Sequence, residues 1–165
     1  MQTNPSGISS DSVLLRDVEE VDLPILFEQQ CDPVATQMAA FPARERDAFL
    51  QHWAKILKDH TGIKKTVLYE GAVAGYIVCW PESGRRLVGY WFGRDFWGKG
   101  IATIALSQFL AVVPERPLYA YTAGHNTGSI RVLEKCGFIT AQHEEAAITE
   151  ADGTSGELVY VLTRR

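Results

Sequence analysis

Residues 93–100 read Gly93-Arg94-Asp95-Phe96-Trp97-Gly98-Lys99-Gly100, a glycine-rich stretch that lies between two apolar segments. Residues 87–92 before it are almost continuously apolar, as is typical of a strand covered on both faces. Residues 101–113 after it predict a helix with little polar surface, which Pro114 ends. Unpaired N–H groups at a helix N-terminus attract anions, and glycines let a phosphate approach the backbone closely. The stretch therefore predicts an anion-binding site, although a plain strand-to-helix turn is the simpler alternative.

The rest of the chain alternates between predicted strands and helices, without an internal repeat or a linker. We expect strands at residues 13–15, 66–70, 73–80, 87–92, 118–122, 138–148 and 157–162. We expect helices at residues 22–30, 43–57, 101–113 and 127–136, with Asp22 and either Asn126 or Thr127 as N-caps and Gly137 as a left-handed C-terminal cap. Residues 1–12 predict a flexible tail, and residues 13–165 a single mixed α/β domain.

The composition argues against several classes of protein. The chain has 165 residues and a net charge of −4, so no broad basic surface draws it to nucleic acid or to an anionic membrane. No apolar run approaches the roughly 20 residues that cross a bilayer, and residues 1–12 do not resemble a signal peptide. Cys31, Cys79 and Cys136 are odd in number and far apart, which argues against a disulfide framework and a zinc site. We therefore expect a cytoplasmic protein that binds no metal.

Two kinds of phosphate ligand compete for the glycine-rich stretch. Residues 93–99 fit G-x-x-x-x-G-K, the start of a nucleotide-binding P-loop. The next residue is Gly100, however, where that motif needs a Ser or Thr to hold Mg²⁺, and we find no convincing apolar strand that ends in an acidic partner for the metal. The pyrophosphate of coenzyme A needs only backbone N–H groups, so it suits this stretch better.

The stretch also resembles a known signature. Residues 97–102, Trp-Gly-Lys-Gly-Ile-Ala, resemble the R/Q-x-x-G-x-G/A signature of the GCN5-related N-acetyltransferase (GNAT) superfamily. Trp97 stands in place of the usual Arg or Gln, and Ala102 takes the last small position. The longer string from Gly89 to Thr103 resembles the ribosomal-protein N-acetyltransferase branch of that superfamily, where an aromatic residue followed by Trp-Gly-Lys-Gly is common.

A second motif resembles the same branch. Residues 126–138 fit its N-x-x-S … E-K-x-G-F segment, with Asn126, Ser129, Gly137 and Phe138 at the named positions. The resemblance extends over roughly residues 13–162 and is strongest over residues 89–138. It implies the GNAT fold, an α/β architecture with a mixed, mostly antiparallel sheet of about seven strands, a splayed parallel pair and about four flanking helices.

The resemblance also implies how a cofactor is held. In the superfamily, the strand before the glycine loop diverges from the next parallel strand and opens a slot for the pantetheine arm of coenzyme A. Main-chain groups of Trp91, Phe92 and Gly93 would pair with the pantetheine amides, and Thr103 would add a hydroxyl. Backbone N–H groups would hold the pyrophosphate; the implied residues are Trp97, Gly98, Lys99, Gly100, Ile101 and Ala102.

Asn126 and Ser129 carry the implied chemistry. They are three residues apart and therefore share one face of a helix, where a plain interpretation is an N-cap followed by a first-turn polar residue. By resemblance, Asn126 would hydrogen-bond to the cofactor arm and Ser129 would donate a proton to the departing thiolate. Many superfamily members use a Tyr later in this helix for that step, but the corresponding residue here is Leu133.

The sequence leaves the proton acceptor and the phosphate partners open. The candidates for a general base are also expected at the surface; they are Glu82, Asp95, His125 and His143. Arg131 and Lys135 predict either a solvated face or a pair of cations beside a coenzyme A phosphate.

The implied activity is transfer of the acetyl group of acetyl-CoA, as cosubstrate, to a primary amine by direct attack in a ternary complex. The acceptor would be a protein or peptide N-terminal amine or a small-molecule amine, near residues 38–44 between the first two predicted helices. A catalytically silent coenzyme A-binding sensor or scaffold of the same fold is the alternative. We expect a monomer or a homodimer, with no nucleic acid or membrane partner.

Overall fold

A computed structural model describes residues 7–141 and 156–164 as one sheet with helices on both faces. The strands run in the order β1-β2-β3-β4-β5-β7-β6. They are β1 (Val13–Asp17), β2 (Ile63–Tyr69), β3 (Ala72–Glu82), β4 (Arg85–Phe92), β5 (Leu118–Ala123), β6 (Ile139–Thr140) and β7 (Glu157–Leu162). The α-helices among the described residues are α1 (Leu23–Gln30), α2 (Pro33–Ala39), α3 (Arg46–Lys58), α4 (Ile101–Val112) and α5 (Thr127–Lys135).

The sheet is antiparallel except at its centre, where β4 runs parallel to β5. These two strands pair only at Arg86 with Leu118 and at Leu87 with Tyr119. Beyond Leu87 the two strands diverge, so the second half of β4 is not paired with β5. The predicted mixed sheet with a splayed parallel pair is confirmed, and the divergence creates the opening in which the candidate site lies.

Two helical layers cover the sheet, and the alternation of side chains along β3 shows how. Ile77 and Cys79 pack into the cluster that contains α4 residues such as Phe109, whereas Tyr76 and Val78 pack on the opposite face against Trp53 of α3. Successive strand side chains point to opposite faces, so one strand supports both layers. The apolar character predicted for the central strands follows from this double coverage.

Helix α2 is absent from the sequence prediction, which expected about four helices and a connecting segment at residues 38–44 that overlaps α2 only at Met38 and Ala39. Asp32 caps α2 through a hydrogen bond from Val34 N at 3.0 Å, and Pro33 occupies its first position. Ala40 then ends it in a left-handed conformation at φ 53°. The next helix, α3, begins at Arg46, three residues later than the predicted start.

Asp22 has a different role from the predicted one, because its side chain does not cap α1. The carboxylate is 2% exposed and accepts hydrogen bonds from Arg16, from Thr66 Oγ1 and from the backbone N–H of Glu19. Burial acts to raise its pKa, but these hydrogen bonds outweigh the burial and hold the pKa below its usual value. Asp22 therefore joins the start of α1 to β1 and β2.

The ends of the predicted domain differ in detail from the sequence prediction. Within the segment predicted as a tail, Ser10–Ser12 forms a short 3-10 helix, and Gln108 of α4 donates to the carbonyl of Ser10 at 3.3 Å. The strand predicted at residues 138–148 is described only as β6, since residues 142–155 lie outside the described ranges. No helix within the described residues is long and apolar enough to cross a membrane.

Candidate active site

A cleft of about 380 Å³ lies where β4 and β5 diverge, between the N-termini of α4 and α5 and one side of α2. Both sequence motifs contribute to it, although they are separated in the chain. Its lining is Ala35, Met38, Ala39, Tyr90, Trp91, Phe92, Phe96, Trp97, Gly98, Gly100, Ile101, Ala102, Thr103, Asn126, Gly128, Ser129, Arg131, Val132 and Lys135.

The edge of β4 offers main-chain groups to this cleft, but not from all of the predicted residues. The N–H of Gly93 donates to the carbonyl of Ala74 on β3 at 2.9 Å, so it points away from the opening. Backbone groups alternate along a strand, so the N–H of Trp91 faces β3 as well, and those of Tyr90 and Phe92 face the cleft. The assignment of main-chain pairing to Trp91 and Gly93 is therefore wrong for this geometry; Phe92 keeps it and Tyr90 joins it.

The N-terminus of α4 presents backbone donors to the same cleft. Gly98 and Gly100 have φ angles of 72° and 82°, a left-handed conformation that favours glycine. No side chain caps the helix, and the first turn contains no acidic residue. Ile104 N donates to the carbonyl of Gly100, so the N–H groups of the three residues before it are the unpaired donors of a helix start. Together with the helix dipole they suit an anion.

Trp97 fixes the position of this loop relative to β4. Its indole Nε1–H donates to the carbonyl of Phe92 at 2.9 Å, while the ring lines the cleft and stays 37% exposed. Lys99 does not line the cleft, although its neighbours Gly98 and Gly100 both do. Its predicted contribution is therefore confined to its backbone N–H.

Asn126 and Ser129 lie together at the start of α5, as their spacing predicts. Asn126 caps the helix, since its Oδ1 accepts from the N–H of Ser129 at 3.1 Å. The cap orients the Asn126 amide so that its Nδ2 group is the one that can donate to a ligand. The Ser129 hydroxyl is 2.9 Å from the hydroxyl of Tyr90, which reaches it from β4.

These features match a known family. Residues 12–139 match the model of the acetyltransferase (GNAT) domain. The chain belongs to the GNAT acetyltransferase family. Both the fold and the family expected from the two motifs are thereby confirmed.

Relatives of this GNAT chain include named N-acetyltransferases. It is 29% identical over 125 residues to "Putative ribosomal N-acetyltransferase YdaF" of Bacillus subtilis (strain 168), a match that spans 70% of this chain and 66%, just under two thirds, of YdaF. Two solved structures share the fold. RimL, the ribosomal L7/L12 alpha-N-protein acetyltransferase in complex with coenzyme A, has a TM-score of 0.72 and 15% identity over 92% of this chain and 94% of its own. The spermidine N-acetyltransferase of Vibrio cholerae, in complex with coenzyme A and spermine, has a TM-score of 0.69 and 18% identity over 81% and 84%.

Two contacts hold α2 of this GNAT chain beside the cleft. The carboxylate of Asp32 pairs with Arg94, in the turn after β4, at 3.0 Å. At the other end, His125 Nε2 donates to the carbonyl of Gln37 at 2.9 Å, because a carbonyl oxygen only accepts. The helix is thus fastened to the loops that follow both diverging strands. Ala35, Met38 and Ala39 of this helix form one wall of the cleft. Met38 and Ala39 belong to the segment 38–44 that was expected near the acceptor, whereas Ala35 was missed with the helix.

None of the three candidates for the proton acceptor that the structure describes lines the cleft. Glu82, Asp95 and His125 lie outside the lining, and His143 lies outside the described residues. Arg131 and Lys135, by contrast, both line the cleft, so the interpretation of these cations as phosphate partners gains support. Within residues 7–141 and 156–164, no group of three or more His, Cys, Asp or Glu side chains is placed to hold a metal ion.

Proposed function

We propose that this GNAT chain transfers the acetyl group of acetyl-CoA to a primary amine by direct attack in a ternary complex. The observation that supports it is the convergence of three parts on one cleft. Uncapped N–H groups of α4, the unpaired edge of β4 and the Ser129 hydroxyl all lie along its lining. An anionic end, an amide-bearing arm and a thioester of one elongated ligand would each meet suitable partners there.

The residues fit coenzyme A by their chemistry. The pyrophosphate would bind at the left-handed glycines and the α4 N-terminus, through Gly98, Lys99, Gly100, Ile101, Ala102 and the Thr103 hydroxyl. The backbone N–H of Trp97, also predicted for this role, donates to the carbonyl of Arg94 at 3.1 Å instead. The backbone N–H of Phe92 and the Nδ2 group of Asn126 would hold the pantetheine arm, since the Phe92 carbonyl already accepts from Trp97. Arg131 and Lys135 would add positive charge beside the phosphates.

The chain's own groups would perform the following steps. Acetyl-CoA supplies a thioester, whose C–S bond breaks as the C–N bond of the amide forms. A β4 N–H that faces the cleft stabilises the negative charge on the carbonyl oxygen. Ser129 donates its hydroxyl proton to the departing sulfur, and the proton released by the attacking nitrogen returns to Ser129 through solvent, which restores the serine.

Direct transfer is favoured over an acetyl-cysteine intermediate by the state of Cys136. This thiol lies at the end of α5 and donates to the carbonyl of Thr103 at 3.5 Å. Burial raises its pKa to about 11, so little thiolate exists near neutral pH. Cys136 therefore serves packing between α4 and α5.

For the acceptor, we propose the α-amine of a protein or peptide. The name of YdaF points to a ribosomal acceptor and the RimL title to a protein N-terminus, whereas the Vibrio title names spermidine. The two motifs of residues 89–103 and 126–138 favour the ribosomal-protein branch. We further propose a cytoplasmic enzyme that works without a metal, as a monomer or a homodimer.

The test is release of free thiol from acetyl-CoA across four amine classes, with products identified by mass spectrometry. Peptides with free N-termini are compared with the same peptides blocked at the N-terminus, and with polyamines, aminoglycosides and amino acids. We expect turnover with unblocked peptides only. Turnover with another amine class would contradict the proposed acceptor and leave the proposed acetyl transfer standing. Binding of coenzyme A without turnover on any amine would favour the silent sensor or scaffold.

A further inference from the structure

Ser129 is held from two sides in the cleft. Its backbone N–H donates to Asn126 Oδ1, and its side-chain oxygen is 2.9 Å from the hydroxyl of Tyr90. Tyr90 lies on β4, on the part of the strand that has diverged from β5. The sequence motifs do not assign any role to this tyrosine, yet it is the group that reaches the Ser129 side chain from the sheet.

The hydrogen bond between the two hydroxyls can run in either direction. Tyr90 has one hydroxyl hydrogen and two acceptors within reach, Ser129 Oγ at 2.9 Å and the Ser129 carbonyl at 3.3 Å. Within α5 the same carbonyl accepts the N–H four residues later, at Leu133, as in any α-helix. A carbonyl oxygen has a second lone pair, so Tyr90 can donate to either oxygen. When the Ser129 proton turns toward a ligand, Tyr90 can donate to Ser129 Oγ over the shorter of the two contacts.

This direction matters because a serine hydroxyl has a single proton. If Ser129 donated to Tyr90, that proton would point at the sheet and away from the cleft. With Tyr90 as donor, the Ser129 proton is free to point toward a ligand. Burial raises the pKa of Tyr90 above its usual value, so its hydroxyl remains protonated and remains a donor across the physiological range.

We propose that Tyr90 is a positioning residue that acts through Ser129. It fixes the serine side chain, leaves the serine proton free for the departing sulfur and stabilises the negative charge that develops on Ser129 Oγ as this proton leaves. The proton released from the attacking nitrogen then returns to Ser129 through solvent, so no group is left altered. The inference rests on the proposed function, because it assumes that Ser129 protonates the leaving group.

The phenyl ring of Tyr90 has a separate, structural role. It packs against the apolar cluster under α4, with its centroid 5.9 Å from that of Phe92. Tyr90→Phe removes the hydroxyl and keeps this packing. Tyr160→Phe is a matched control, because Tyr160 also reaches from the sheet to α5, where its hydroxyl donates to Glu134 at 3.4 Å. Neither Tyr160 nor Glu134 lines the cleft.

The experiment is a double-mutant cycle with Tyr90→Phe, Ser129→Ala and the double variant, beside Tyr160→Phe. For each protein, kcat and KM for the amine and the Kd of coenzyme A are measured. We expect kcat to fall by about tenfold in Tyr90→Phe and further in Ser129→Ala, with Kd changed by less than about twofold. The double variant should be no slower than Ser129→Ala, and Tyr160→Phe should match the wild type.

Several results would overturn the inference, and one concerns the proposed function instead. Unchanged kcat in Tyr90→Phe would remove its role, and a double variant slower by the product of both losses would show that Tyr90 acts independently of Ser129. An equal loss of kcat in Tyr90→Phe and Tyr160→Phe would show that both hydroxyls act only by holding α5 in place. Full activity of Ser129→Ala would remove the group through which Tyr90 acts. A wild type that acetylates no amine contradicts the proposed function itself, whereas all the other outcomes require an active wild type.

Discussion

The indole Nε1–H of Trp97 donates to the main-chain carbonyl of Phe92 at 2.9 Å, which joins the glycine loop to the last residue of β4. The GNAT signature usually has Arg or Gln at the position of Trp97. In this chain the aromatic residue therefore replaces a cationic or amide side chain while still fixing the loop by a hydrogen bond. The loop and the strand edge, which contact different parts of the proposed ligand, are held in one arrangement.

Trp97→Phe should weaken coenzyme A binding without unfolding the protein. The variant retains an aromatic ring in the cleft and loses the hydrogen bond, whose net worth is about 0.5–1.5 kcal/mol. We expect the Kd of coenzyme A, measured by titration calorimetry, to rise by about three- to tenfold, with little change in Tm because the residue is 37% exposed. An unchanged Kd would show that the loop keeps its shape without this bond.

Some features of this site could be predicted from local sequence, and others could not. Glycine is the residue that most readily adopts a left-handed backbone at a loop or a helix end, which is why Gly98, Gly100 and the Gly137 cap at φ 94° were predictable. The bond between Tyr90 and Ser129 joins residues 39 apart in the chain, so no local pattern indicates it. The direction of the main-chain groups near Gly93 depends on the register with β3, which a sequence alone does not set.

Helix α2 was missed for a different reason. It has seven residues, too few for a helical periodicity to stand out. Asp32 followed by Pro33 was a usable start signal, namely an N-cap before a proline at the first helical position. The tie between His125 and Gln37, which sets the helix beside the cleft, is again a long-range contact.

Gly98→Ala should weaken coenzyme A binding more than its effect on folding accounts for. A Cβ at Gly98 would meet no atom within 4 Å, so the substitution acts through its φ of 72°, which costs a non-glycine residue about 1–2 kcal/mol. Relief of this strain would move the N–H groups that the proposed site uses. We expect at least a tenfold rise in Kd, or about 1.4 kcal/mol.

Gly84→Ala is the matched control for that experiment. Gly84 has a φ of 79° and equally open surroundings, but it lies in the turn between β3 and β4 and not in the cleft. Urea unfolding should give similar losses of stability for both variants. Equal Kd values for the two would contradict the assignment of Gly98 to the phosphate site.

Arg131→Ala and Lys135→Ala should each weaken coenzyme A binding in a salt-dependent way. Both cations line the cleft, and exposed charges act on phosphates mainly at low ionic strength because salt shortens their range. We expect the Kd of each variant to be about two- to fivefold higher than that of the wild type at 20 mM salt. At 0.5 M salt this ratio should approach one. Lys58→Ala, at the end of α3 and outside the lining, is the control; an equal effect from it would show a non-specific contribution of net charge.

Asp22→Asn should destabilise the fold by about 3 kcal/mol near neutral pH, because it leaves Arg16 without its buried counter-charge. The folded pKa of Asp22 is lowered, so this contribution is complete above the unfolded-state pKa of about 3.9 and is lost as pH falls through the folded value. Urea unfolding at several pH values should show the two proteins converge in acid.

Asp17→Asn provides the comparison, since Asp17 pairs with Lys65 at 2.7 Å but its side chain is 85% exposed. An exposed pair contributes at most about 1 kcal/mol, so this variant should lose far less stability. A loss for Asp22→Asn as small as that for Asp17→Asn at neutral pH would contradict the account of the Asp22 network.

The proposed reaction requires the sulfur of coenzyme A to lie beside Ser129, and an experimental structure of the complex measures that distance directly. We predict the pyrophosphate on the backbone N–H groups at the start of α4 and the sulfur within about 3.5 Å of Ser129 Oγ, or one water molecule away. A cofactor that occupies the cleft with its sulfur far from Ser129, or that binds outside the cleft, would contradict it.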